Sequence, residues 1–147
     1  MKAKKIVIAV SLEEETLKPL QQLKNMNIAN DAEIHLVHIV PTVLYARGMQ
    51  FSVLTYPLPE ERPKIEESII AKLKEVKNDI LPEAQNVTFK CLFDANEKAA
   101  FNDYVESQKA ELVIVATRGR HGLKTIFDSS FAQHQLKYSP VNVLVLR

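Results

Sequence analysis

Cysteine is nearly missing from this chain. Cys91 stands alone, and a lone thiol excludes an internal disulfide framework. Its place in the run V-T-F-K-C-L-F marks it as a buried strand residue rather than a nucleophile. Long hydrophobic runs are lacking as well. After the basic start M-K-A-K-K, the apolar stretch at residues 6–10 is too short for a signal-peptide core and far too short to cross a bilayer. A cytoplasmic location without a membrane partner is therefore expected. Charge of one sign is scarce: 19 Lys and Arg against 18 Asp and Glu leave a formal net charge of +1. A general nucleic-acid binder needs a basic surface to neutralise several phosphates, so no nucleic-acid partner is expected and any cationic site is small. The 3 glycines form neither a G-x-x-x-x-G-K-[ST] loop nor a G-x-G-x-x-G turn after the first apolar run. No internal repeat and no low-complexity tract is present.

What is there suits one globular domain over residues 1–147, with 46% hydrophobic and 25% charged residues to build a core and a solvated surface. Runs rich in Val, Ile and Leu at residues 5–10, 34–40, 87–93, 112–116 and 141–146 read as strands. The first, fourth and fifth are almost continuously apolar, as strands buried on both faces are, and most of the gaps are long enough for crossover helices. The order implies an open parallel α/β sheet. The clearest helix carries Ile65, Ile69, Leu73, Val76 and Ile80 at spacings of three and four, with Lys64, Glu67, Lys74 and Lys77 opposite. Pro63 suits its start and Pro82 the segment past its end. In the first crossover Pro19 conflicts with a helix running from Ser11, so Thr16 is taken as the N-cap. Phe101, Tyr104 and Val105 are expected inside the third crossover, and Phe131, Leu136 and Tyr138 inside the fourth. Residues 41–62, with Tyr45, Arg47, Met49, Phe51 and Tyr56, are too apolar for an idle linker. They read as a loop packed over the sheet edge or a partner subunit, or as a lid on a ligand.

In an open parallel sheet ligands collect beyond the carboxyl ends of the strands, where successive crossovers change sides. Those ends are Ser11 and the stretch A-T-R-G-R-H-G-L-K-T-I-F-D-S-S, residues 116–130. Amides around Gly119 and Gly122, the charges of Arg118, Arg120 and Lys124, and the helix start near Ser129 together suit a phosphate. Other chemistry is thinner. Ser130 and His134 lie one helical turn apart, but no acid orients the pair, so no catalytic residue is assigned. His35 and His38 point to opposite faces of a strand and make no local metal pair, so no metal site is assigned. Glu13, Glu14 and Glu15 read as a solvated helix entrance.

Several segments together resemble the universal stress protein family: K-K-I-V-I-A-V at the start, L-V-H-I-V-P at residues 36–41, A-E-L-V-I-V-A-T-R-G-R-H-G-L at residues 110–123 and S-P-V-N-V-L-V-L-R at the end. The resemblance implies a single-domain, Rossmann-like five-stranded parallel sheet of order 3-2-1-4-5, of the adenine nucleotide alpha hydrolase-like type, with helices on both faces. It also implies a homodimer through the last strand, here Val141, Val143 and Val145. Some members bind ATP through G-x-x-G, nine residues, then G-[ST], with an aspartate after the first strand. In that register Ala116 and Ser129 stand at glycine positions, Gly119 and Ser130 match, and Ser11 replaces the aspartate. The implied phosphate and nucleotide contacts are Ser11, Ala116, Arg118, Gly119, Arg120, Gly122, Ser129 and Ser130, with Ile39 and Val40 flanking the base. A stress-response module with a degenerate crevice for ATP or another adenine nucleotide, with Mg, is one expectation. A member without a nucleotide, acting through protein contacts, is the other. Slow ATP hydrolysis is the most that analogy adds. Gln135 occupies a position that is usually apolar in the family, so the last helix is expected to pack differently or to offer a polar group at a subunit contact.

Overall fold

The structure, a computed structural model, describes residues 3–28, 31–47, 52–117 and 130–147. Five strands, β1 (Lys5–Ala9), β2 (Glu33–Pro41), β5 (Val87–Asp94), β6 (Leu112–Ala116) and β7 (Asn142–Leu146), form one sheet in the order β5-β2-β1-β6-β7. All four pairings are parallel. Counting these five alone, the order is the expected 3-2-1-4-5, and each strand lies within a residue or two of its expected place.

The side-chain alternation of β1 divides the core in two. Ile6 and Ile8 join Ile34, Leu36, Ile114, Leu73 and Ile80 beneath helices α1 (Glu14–Leu20) and α2 (Arg62–Ile80). Val7 points the other way and joins Val37, Val113, Val115, Phe101 and Val105 beneath α3 (Glu97–Ser107) and α4 (Ser130–Tyr138). The sheet is therefore covered on both faces, which is why its central strands carry so few polar residues. Cys91 is buried within β5, and burial pushes its thiol up to about 11, so it stays protonated and inert.

Three expectations need correction. First, α1 begins at Glu14, not after Thr16, and holds Pro19 inside. Hydroxyls make the early start possible: Ser11 Oγ accepts the Glu13 N–H at 3.3 Å and Thr16 Oγ1 donates to the Glu13 carbonyl at 2.9 Å. Pro19 has no N–H for the carbonyl of Glu15, and the helix gives way after Leu20 to a tighter 3-10 turn, Gln21–Asn25. Second, residues 41–62 contain an antiparallel hairpin, β3 (Val43–Arg47) with β4 (Ser52–Tyr56), rather than an irregular loop. Third, Leu136 and Tyr138 are exposed, whereas Ala132 and Gln135 are buried. The helix turns residues 131, 132 and 135 toward α3 and the sheet, and Tyr138 lies on its outer side against the His134 ring, 4.8 Å between centroids.

Candidate functional site

β1 and β6 lie side by side at the centre of the sheet, at the point where the chain stops adding strands on one side and begins on the other. Their mutual ladder is short, joining Ile6, Val7 and Ile8 to Leu112, Val113 and Ile114. Beyond it the two strands part company. Val10 donates its N–H to Val37 of β2 at 2.8 Å, and Thr117 donates its N–H to Leu146 of β7 at 2.8 Å. Each central strand thus follows its outer neighbour, and Ser11 and Thr117 flank the switch point at the carboxyl end of the sheet, where this architecture forms its ligand cleft.

The β1 side is tightly organised. Ser11 is exposed, but its hydroxyl is engaged with the Thr16 hydroxyl as well as with the Glu13 amide. Thr16 gives its proton to the Glu13 carbonyl, so the remaining bond runs from the Ser11 O–H to Thr16 Oγ1. Leu12, at φ 66°, occupies the left-handed region where a non-glycine residue is strained by about 1–3 kcal/mol. Strain of this kind persists when neighbours hold it, here the three side-chain bonds among Ser11, Glu13 and Thr16 and the packing of Leu12 on the core. His38, expected to be a satisfied histidine, is one: its Nδ1–H donates to the Val10 carbonyl at 2.7 Å, tying β2 to the end of β1.

Ile39 and Val40 are half-buried near the same end of β2. Successive residues on a strand point to opposite faces, and Ile39 packs with the α3 and α4 core, so Val40 lies on the other face. On β6, Ala116 pairs with Leu146 as an ordinary extended residue. Thr117, which the motif count passed over, is 1% exposed, and among the described residues its Oγ1 has no hydrogen-bond partner. The signal in the sequence was a hydroxyl closing an apolar strand. Arg118, Gly119, Arg120, Gly122 and Ser129 lie outside the described residues, and Ser130 is described only as the first residue of α4.

A second polar group lies at the opposite end of the sheet. Glu33 Oε1 accepts from His35 Nε2 at 2.6 Å, and the Tyr104 hydroxyl meets His35 Nδ1 at 2.6 Å. The His35 hydrogen bond, with help from the Lys5 ammonium at 3.5 Å, holds the Glu33 carboxyl below its ordinary range, while burial pushes the Tyr104 phenol up. This chain of bonds ties β2 to α3 and lies away from the cleft. Among the described residues no three His, Cys, Asp or Glu side chains converge as metal ligands, and no helix is long and apolar enough to cross a membrane.

Comparison with known proteins bears on the same geometry. No curated protein matches the chain. Solved structures do, among them ones at 12–20% identity with the same fold. A universal stress protein in complex with cAMP superposes with a TM-score of 0.66 at 13% identity, covering 100% of this chain and 98% of the other. One from Archaeoglobus fulgidus in complex with dAMP gives 0.61 at 14%, covering 100% of each. One from Arabidopsis thaliana with AMP bound gives 0.57 at 15%, covering 97% of this chain and 90% of the other. The model of the universal stress protein family matches residues 2–147. With the motifs, the strand order and the family model in agreement over almost the whole length, the chain belongs to the universal stress protein family.

Proposed function

We propose that residues 1–147 act as one domain of a cytoplasmic stress-response module that binds an adenine nucleotide weakly in the cleft between Ser11 and Thr117. The observation that carries this reading is the parting of β1 and β6 over a buried Thr117 hydroxyl that has no partner among the described residues. A buried, unpaired hydroxyl costs about 1–3 kcal/mol, which a ligand can return by pairing with it. The adenine nucleotides bound by three relatives of the same fold support the ligand class. Arg118, Arg120, Gly119, Gly122, Ser129 and Ser130 would surround the phosphates, and Mg would accompany a triphosphate. Ile39 and Val40, pointing to opposite faces, would meet the base with one side chain and the backbone of the strand end.

The departures from the ATP motif set the affinity. Ala116 sits in a strand with Leu146 as its partner and is not among the residues of positive φ, so replacing glycine there costs nothing in backbone strain. Ser129 for glycine costs about 1 kcal/mol if the loop needs glycine's freedom. Ser11 in place of a carboxylate removes about 1.5–3 kcal/mol. The sum, about 2.5–4 kcal/mol, is a factor of about 60 to 700. A micromolar site becomes one of about 0.1–1 mM.

Calorimetric titration with Mg-ATP and with AMP to several millimolar tests this. Saturable binding in that range, weakened by Thr117→Val and by Ser130→Ala, is the expected result. Absence of saturation with either ligand would overturn the reading. A second reading, a member acting through protein contacts without a nucleotide, draws on Ser11, whose hydroxyl already serves Glu13 and Thr16. It would then be the one to pursue. The homodimer belongs to both readings. Its contact would be the outer edge of β7 with Val141, Val143 and Val145, a strand, N-V-L-V-L, without a charge or a proline to discourage pairing.

A further inference from the structure

The two hydroxyls that flank the switch point are not alike. Thr117 Oγ1 is buried and has no partner among the described residues, so it is open both to give and to accept a hydrogen bond. Ser11 is exposed, yet its hydroxyl is held in one direction by its neighbours. A serine hydroxyl has one proton and two lone pairs, and the proton ordinarily rotates to suit whatever arrives. At Ser11 all but one of these is already committed. The Thr16 hydroxyl has a single proton, which goes to the Glu13 carbonyl at 2.9 Å. The contact between the Ser11 and Thr16 oxygens therefore takes its proton from Ser11. One Ser11 lone pair accepts the Glu13 N–H at 3.3 Å. What is left is one lone pair, an acceptor with no proton to offer.

Thr16 is the residue that fixes this direction, and it is itself firmly placed. It is 8% exposed and lies in the first turn of α1, where its N–H donates to the same Glu13 carbonyl at 3.1 Å. On the other side of the turn, Leu12 holds its left-handed backbone with its side chain packed on the core. Without Thr16 the Ser11 proton would be free to turn toward a ligand. With it, Ser11 favours a ligand group that brings a proton and disfavours one that presents only lone pairs, such as a phosphate oxygen. Strand order indicates which group that is. β1 lies between β2 and β6, and two strand spacings set the ends of β2 and β6 about 10 Å apart. If the base meets the end of β2 and the phosphates gather beyond β6, Ser11 stands between them, where a nucleotide carries its sugar.

We infer that Thr16 is a positioning residue that sets the specificity of the cleft: it holds Ser11 as a pure acceptor, which selects nucleotides with a free sugar hydroxyl. Thr16 acts through Ser11 and touches no ligand. The inference rests on the adenine-nucleotide reading above, which the unpaired Thr117 hydroxyl supports independently, and its test separates the two.

Chemical-shift titrations of the full chain with AMP and with 2′,3′-dideoxy-AMP, read at the amides of Leu12 and Glu13, give the two affinities. In wild type AMP is expected to bind about threefold to tenfold more tightly than the dideoxy compound, the ratio that one neutral hydrogen bond supports. Ser11→Ala removes the acceptor and Thr16→Val releases its proton, so each should bring the two ligands to within about twofold of one another. Thr16→Ser, which keeps the hydroxyl, should retain the wild-type ratio. A purely structural role for Thr16 would weaken both ligands alike and leave their ratio unchanged. Equal affinities in wild type would overturn the inference while leaving nucleotide binding in place, and so would a wild-type ratio in Ser11→Ala or in Thr16→Val. Absence of binding by either ligand would overturn the adenine-nucleotide reading and this inference with it. Far-UV circular dichroism verifies that each variant is folded.

Discussion

Gln135 is the residue at which this sequence and its fold agree least. It is 0% exposed, and among the described residues neither end of its amide has a partner. The neighbouring Ala132 belongs to the core beneath α3 and α4. Burying an unpaired amide costs about 1–3 kcal/mol, and leucine has nearly the same reach without that cost. Gln135→Leu is therefore expected to stabilise the protein by about 1–3 kcal/mol. In urea unfolding the midpoint should rise while the slope stays constant, because the surface exposed on unfolding hardly changes. A fall in the midpoint would mean that the amide is paired in solution. The resemblance to the family marked Gln135 as polar at a usually apolar position, but its inward orientation could not be read from the sequence. In a helix of nine residues, Leu136 and Tyr138 offered an equally apolar stripe, and only the rotation of α4 over α3 and the sheet decides between them. Thr117 was missed for a related reason. A hydroxyl at a strand end becomes informative only when burial leaves it without a partner.

Elements were legible where their period was long and uninterrupted. The α2 stripe from Ile65 to Ile80 and the apolar strands gave an unambiguous pattern, and the order of strands and crossovers implied the parallel sheet. The hairpin was hidden by its own composition. Arg47 to Ser52 is a connection without an Asn-Gly or Asp-Gly pair, and Val43, Leu44 and Tyr45 are apolar on both faces, so the alternation that reveals a half-buried strand is absent. The end of α3 shows another element-level feature that the pattern of apolar residues does not carry. Ala110 donates to the Val105 carbonyl at 3.1 Å and Lys109 to the Glu106 carbonyl at 3.1 Å, with Lys109 at φ 54°. This is the double-bonded left-handed helix end that glycine usually closes. A side chain there costs about 1–2 kcal/mol, and glycine returns about 0.5–1 kcal/mol of that through the freedom it gives the unfolded chain. Since Lys109 is exposed and nothing else is lost, Lys109→Gly should stabilise by about 0.5–1 kcal/mol. For a chain of this size that raises the melting temperature by about 1–4 °C. A lower melting temperature would show that the unfolded-state entropy outweighs the relieved strain.

For the molecule as a whole, the two sheet edges are treated differently. β5, on one side, interrupts its apolar residues with Lys90 and ends at Asp94, and a charge on an edge discourages pairing with another chain. β7, on the other, offers Asn142–Leu146 with no charge at all. Because Leu146 turns its carbonyl toward the Thr117 N–H of β6, and the backbone groups of a strand alternate in direction from residue to residue, Val143 and Val145 turn theirs outward. A proline at 143 therefore removes a donor that β6 does not use, and proline is tolerated on an edge strand for that reason. If copies of the chain pair through β7, Val143→Pro should yield a folded protein that has lost this contact. Light scattering after size exclusion would then give a monomer at concentrations where wild type is a dimer, with the far-UV circular dichroism unchanged. The cleft should keep its affinity for an adenine nucleotide in this variant, because it opens between β1 and β6 rather than across the β7 edge. Loss of nucleotide binding together with the dimer would instead mean that the cleft depends on the partner copy.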